Sequence, residues 1–243
     1  MSKLSIIGIV IVLVIVSFIW GHRGGVSISG NGNVTTETKA ISDFTQLKLD
    51  GVFKTIISQD GGPVWIKVEA DQNLQPAVEV KNDGETLIVK NKSGFNFNDP
   101  GKMVVYVNVK NLNSLTNTSI GKVETSGTIQ VQNLYLKNDA VGKTTLSLKV
   151  QKLNAKLDAV GSTILTGSAT EADISNKSVG KLDAYDLKTD ILNITNKGVG
   201  PVEVYAEKEI FIDHDGVGSL HYKGPAMVKN LKDNGVGKVS KAD

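Results

Sequence analysis

The stretch VGKTTLSLKVQKLNAKLDAVGSTILTGSATEADISNKSVG (141–180) decides how this chain folds. It carries the same step three times, at Val141-Gly142, Val160-Gly161 and Val179-Gly180, each 19 residues from the next. Between the steps, apolar and polar residues alternate in twos, the pattern of a strand with one face buried. Working outward, the step recurs at Ile120-Gly121, Val199-Gly200, Val217-Gly218 and Val236-Gly237, giving intervals of 21, 19, 19, 20, 18 and 19 residues. So regular a period marks a stacked-coil protein, in which one repeat is one turn and buries its apolar face only against its neighbours.

Aligning the repeats on the glycine sorts their residues. Six positions before it stand Leu115, Leu136, Ala155, Ile174, Ile194 and Ile212, and eight before stand Asn113, Leu134, Leu153, Ala172, Leu192 and Ile210. Four before stand Asn117, Asn138, Leu157, Asn176, Asn196, His214 and Asp233, and two before stand only Ser, Ala or Gly. Because successive strand side chains alternate faces, these positions share one face, the inward one. Like residues then stack in columns about 4.8 Å apart, and the fold class is all-β, a single-stranded parallel β-helix.

Segments 44–58, 64–70, 77–81, 86–91 and 103–112 also alternate and are separated by Gly, Pro, Asn and Asp clusters, with Asn82-Asp83-Gly84 a hairpin signal. Residues 39–112 are expected to form irregular first coils or a cap, and 113–243 the regular repeats, for about ten coils in all. The Gly/Ser/Asn/Thr-rich residues 24–38 read as a flexible tether. Within residues 1–23, the uncharged run 4–20 (LSIIGIVIVLVIVSFIW) reads as a membrane signal-anchor or a cleaved signal peptide. Either reading exports the remainder.

Composition narrows the function. There is no Cys, which excludes disulfides, thiolate chemistry and an acylated lipoprotein anchor. Net charge is +2, and Arg23 is the only arginine, so the basic, aromatic-interleaved footprint of a nucleic-acid binder is missing.

The ~19-residue repeat with small-x-Gly at its bend follows the stretch LKLDGVFKTIISQDGGPVWIKVEAD (47–71). Together these resemble the GIN-domain family, labelled an auto-transporter adhesin head, over about residues 37–239. The resemblance implies a right-handed β-helix in the bacterial envelope and supplies no catalytic residues. One departure is that this chain places Val or Ile between the two small positions of every bend.

Four residue sets are candidates for function. The ladder Val141, Val160, Val179, Val199 and Val217, extended by Ile120 and Val236, points outward as an interaction stripe if alternation continues through the bend. It points inward if the glycines Gly121, Gly142, Gly161, Gly180, Gly200, Gly218 and Gly237 break the alternation. Asn117, Asn138, Asn176 and Asn196 form a structural amide ladder rather than a ligand row. Tyr185 and Tyr205, beside Asp183 and Glu203, could stack as a glycan platform, or simply as neighbouring rings. Asp213-His214-Asp215 concentrates ligand-type residues but alternation splits them, and Asp139 and Asp158 read as a solvated face, so no metal or cofactor is expected. The function expected is a non-catalytic envelope scaffold or adhesion module meeting a protein or glycan, or a second copy of itself. The alternative is a glycan-binding or glycan-acting protein.

Overall fold

The computed structural model describes residues 26–99 and 101–242. The chain is an all-β solenoid of about seven turns, with coils of about 19 residues. Val141–Leu157 and Val160–Asn176 pair in parallel, placing Val141 on Val160, Gly142 on Gly161 and Leu157 on Asn176. The in-register columns expected from the repeat are present. One runs Leu87, Leu47, Leu115, Leu136, Ala155, Ile174, Ile194, Ile212 and Leu231. The first eight are at most 3% exposed, whereas Leu231, with no coil beyond it among the described residues, is 52% exposed. Each enclosed Leu or Ile in such a column contributes about 1.5–3 kcal/mol.

The stack begins earlier than residue 113. Gln46–Asp50 and Lys54–Ser58 pair in parallel with Ser114–Asn117 and Ile120–Ser126, so they are already a regular coil. Between them and residue 114 the chain leaves the stack to build a cap. Thr86–Asn91 and Met103–Asn108 lie in parallel beneath that first coil. Trp65–Asp71 pairs antiparallel with Met103–Asn108, and Val34–Lys39 pairs antiparallel with Trp65–Asp71. Val78–Asp83 returns antiparallel on Thr86–Asn91 through a tight turn at Gly84, whose φ of +56° suits glycine.

These pairings correct three expectations. Residues 24–38 are not a tether throughout, since Val26–Ser29 pairs with Phe95–Asp99 and Val34 starts the outer cap strand. The coils number about seven rather than ten, because much of 59–112 folds as antiparallel cap strands. Asn113 is exposed instead of inward, because it stands where the chain re-enters the stack from the cap.

The bend depends on its glycines. Their φ values run from +124° to +142°, outside the comfortable range of any L-residue. A Cβ built on Gly142, Gly161, Gly180, Gly200, Gly218 or Gly237 would collide with the carbonyl oxygen of the glycine one coil below. Backbone therefore lies directly on backbone at this corner, and hydrogen bonds close it on both sides. Val160 N–H donates to Ala140 and Gly161 N–H to the carbonyl of Val179.

The ladder residue four before each glycine fixes the approach to the bend. Asn117, Asn138, Asn176 and Asn196 are at most 2% exposed. The Oδ1 atoms of Asn117, Asn176 and Asn196 accept the backbone N–H two residues on, an Asx-turn repeated from coil to coil. The Nδ2 atoms bridge coils: Asn117 donates to Asn138 at 3.0 Å, and Asn176 to Asn196 at 2.8 Å. Leu157 interrupts the row, and Asn138 donates to Thr163 Oγ1 instead. His214 continues it, its Nδ1 lying 2.9 Å from Asn196 Nδ2.

Two outcomes follow from this packing. Gly161→Ala combines a backbone clash with a forbidden φ and is expected to destabilise the chain by about 2–4 kcal/mol in urea unfolding. Asn138→Ala removes the buried acceptor shared by one N–H of Asn117 and the Thr144 hydroxyl, leaving Asn117 only its bond to Thr144, and is expected to cost about 1–3 kcal/mol by the same measurement.

Candidate functional site

Alternation continues unbroken through the bend, and this settles the direction of the Val ladder. The residues two before and two after each of the first six glycines are inward, so the residue between is turned out. Val141, Val160 and Val236 are 41%, 44% and 63% exposed, and Ile120, Val179, Val199 and Val217 are half-buried. Bridges Val160–Val179, Val179–Val199, Val199–Val217 and Val217–Val236 align them into one ridge. Six intervals of about 4.8 Å make it about 29 Å long. The glycines do bend the chain, but their own missing side chains would point along the solenoid axis, so they do not turn the valines inward.

Charged residues border the ridge and are partly committed to one another. Lys54 Nζ lies 2.7 Å from Glu124 Oε1, and Lys122 meets the other oxygen of the same carboxylate. These contacts bind the first coil to the second beside Ile120. The hydrogen bonds from Lys122 and then Lys54 hold the Glu124 carboxyl below its ordinary value of 4.5.

Tyr185 and Tyr205 are outward and half-buried on adjacent coils, and Asp183 pairs in register with Glu203. Both acids are engaged: Lys181 Nζ lies 3.0 Å from Asp183 and 2.7 Å from Glu203. The rings are engaged as well. Lys188 Nζ sits 3.7 Å from the centroid of Tyr205, and Lys223 Nζ 5.1 Å from that of Tyr185. Tyr205 donates to Glu207, which pushes its phenol upward, and burial does the same to Tyr185. His214 is buried within the amide ladder while Asp213 and Asp215 face away from it. No group of three or more His, Asp or Glu able to hold a metal occurs among the described residues.

A feature missed in the sequence is a groove of about 900 Å³ along another corner of the coils. Its floor is Leu112, Val131, Val150 and Ala169, and its walls carry Gln130, Gln132, Gln151, Lys149 and Lys188. A signal was present: Gln132-Asn133, Gln151-Lys152 and Thr170-Glu171 each put two polar residues in succession, breaking the period of two once per coil. That break is where the chain turns a corner, and Gln132, Gln151 and Thr170 fall outside the pairing register there.

Residues 43–226 match the family described as "Putative auto-transporter adhesin, head GIN domain". The chain belongs to this family. Among solved structures it is similar to a "putative adhesin" from Bacteroides fragilis, with 24% identity and a TM-score of 0.83 over 88% of this chain and all of that one. A "putative adhesin" from Parabacteroides distasonis is 27% identical, with a TM-score of 0.58 over 89% of this chain and all of that one. A "putative lipid binding protein" from the same species is 18% identical, with a TM-score of 0.64 over 88% and 100% of the two chains. The first and third likenesses speak for the fold alone. Among curated proteins the chain has no match. The run 4–20 lies outside the described residues, among which no helix is long and apolar enough to cross a membrane.

The Glu124 contacts give a pH dependence of definite sign. Its folded value lies below its unfolded one, so its contribution is complete above about pH 4.5 and is lost as pH falls through the folded value. Acid titration of unfolding free energy is expected to show a fall that Glu124→Gln reduces, by under about 1 kcal/mol because the pair is partly solvated.

Proposed function

We propose that this chain is a non-catalytic adhesion module of the bacterial cell envelope, held at the membrane by residues 4–20 and docking a partner protein along the Val ridge. The ridge carries the proposal. A row of aliphatic side chains turned to solvent, with lysines and acids on both sides, has the apolar centre and polar rim of a protein interface. Stacked coils hold it rigid, so little conformational freedom is lost when a partner docks. Family membership supports an adhesive role and the envelope location.

Glycan binding is a second reading. At Tyr185 and Tyr205 a sugar would have to displace the ammonium groups of Lys188 and Lys223 and compete with Lys181 for Asp183 and Glu203. The corner groove makes no such demand.

Val160→Asp discriminates the main proposal. Because the side chain is outward, stability is expected to change by no more than about 0.5 kcal/mol. Adhesion of cells displaying the chain to their target surface is expected to drop sharply. An unfolded variant, or a folded one that adheres undiminished, would refute the ridge as the docking surface. Sedimentation showing a dimer that Val160→Asp dissolves would make the occupant a second copy. Cell fractionation with mass measurement of the mature chain checks the anchor: an intact amino terminus in the membrane fraction is expected.

A further inference from the structure

We propose that the corner groove binds a linear acidic polysaccharide lying along the solenoid axis. This rests on the adhesion reading and names a ligand class for a surface distinct from the ridge. Four observations carry it.

The groove is long and repetitive. Val131 stacks on Val150 and Val150 on Ala169, while Gln130, Lys149, Ser168 and Lys188 form the parallel row beside them. From Leu112 to Asp190 it spans five coils, about 19 Å at about 4.8 Å per rung. Pyranose rings in an extended chain repeat at nearly this interval, so successive sugars meet equivalent positions. A peptide strand advances about 3.3 Å per residue and runs out of step with the rungs.

The wall chemistry suits hydroxyls. The side-chain amides of Gln130, Gln132, Asn133 and Gln151 are exposed and make no hydrogen bond to any described residue. An amide both donates and accepts, as a sugar hydroxyl does, and these groups are free to do so. The buried amides of the Asn ladder, by contrast, are occupied within the protein.

The floor is aliphatic, matching the C–H face of a pyranose ring. Val150 and Ala169 are nearly buried and Val131 is half-buried.

The charge is positive and partly uncommitted. Lys149 forms no ion pair among the described residues, and Asp190 is neutralised by Lys208 at 2.9 Å. An ammonium in the middle of an amide-lined trough favours a ligand bearing carboxylates, through charge-assisted hydrogen bonds.

The test is calorimetric titration of the full chain in detergent with polygalacturonate oligomers, neutral galactan oligomers and polyglutamate. Saturable binding of polygalacturonate is expected, with much weaker binding of the other two. Gln132→Ala, Gln151→Ala and Lys149→Met, all at exposed positions, are each expected to weaken it about tenfold while thermal unfolding stays unchanged. Lack of polygalacturonate binding, equal binding of polyglutamate, equal binding of galactan, or indifference to the three substitutions would overturn the assignment. Absence of polygalacturonate binding in a chain whose cell adhesion is still lost in Val160→Asp would overturn the groove while sparing the ridge, and binding that survives in a chain whose adhesion ignores Val160→Asp would do the reverse.

Discussion

Everything in this protein depends on letting backbone rest on backbone at one corner of every coil. Parallel strands hydrogen-bonded along the axis need a constant spacing of about 4.8 Å. At the bend, the carbonyl of one glycine occupies the space a side chain would need on the next. Only glycine satisfies both the spacing and the positive φ, which is why it recurs at the seven bends from Gly121 onward, whereas the first coil carries Phe53 in that place without a positive φ. Once the corners coincide, the residues between them are forced into register. The aliphatic columns, the buried amide row and the outward ridge are three consequences of that one coincidence.

The amide row shows how local and long-range requirements agree. Asn117, Asn176 and Asn196 each organise the turn they precede by accepting a backbone N–H two residues on, and with the remaining group reach the next coil. A serine or aspartate could do the first, but only an amide does both in a buried column without carrying charge. Where Leu157 replaces the amide, Thr163 of the same coil accepts from Asn138 in its place. At His214 the row ends in an imidazole whose Nε2 has no partner among the described residues, pressed against Gly235.

What could be read from the sequence was whatever the repeat enforces. The columns through Leu136 and Ile174, the Asn ladder and the pairing of one bend with the next all follow from counting in twos and nineteens. The cap could not be read in that way. Its pairings join segments far apart, such as Val34–Lys39 with Trp65–Asp71, and nothing in local alternation chooses among strand partners. Residues 26–29 and 34–39 carry the Ser and Thr of a tether and flank Gly30 to Asn33, yet they gain structure from partners elsewhere in the chain. The direction of Val160 was ambiguous because a glycine both bends a chain and preserves its alternation, and only the close packing at the bend decides between them. The groove escaped because its residues are ordinary solvent-facing amides, and concavity is a property of the assembled corner.

The orientation of the hydrogen bonds has a mechanical consequence for a protein of this family. Coil-to-coil bonds lie nearly parallel to the long axis, so a pull along that axis loads them in line with their length. Such bonds open one rung after another, as a zipper does, while strands sheared past each other must break many at once. The antiparallel cap strands stand outside this series, and the terminal coil with Leu231 is the least enclosed rung. Under tension along the axis the coils therefore part rung by rung, and each rung that opens releases about one winding of chain.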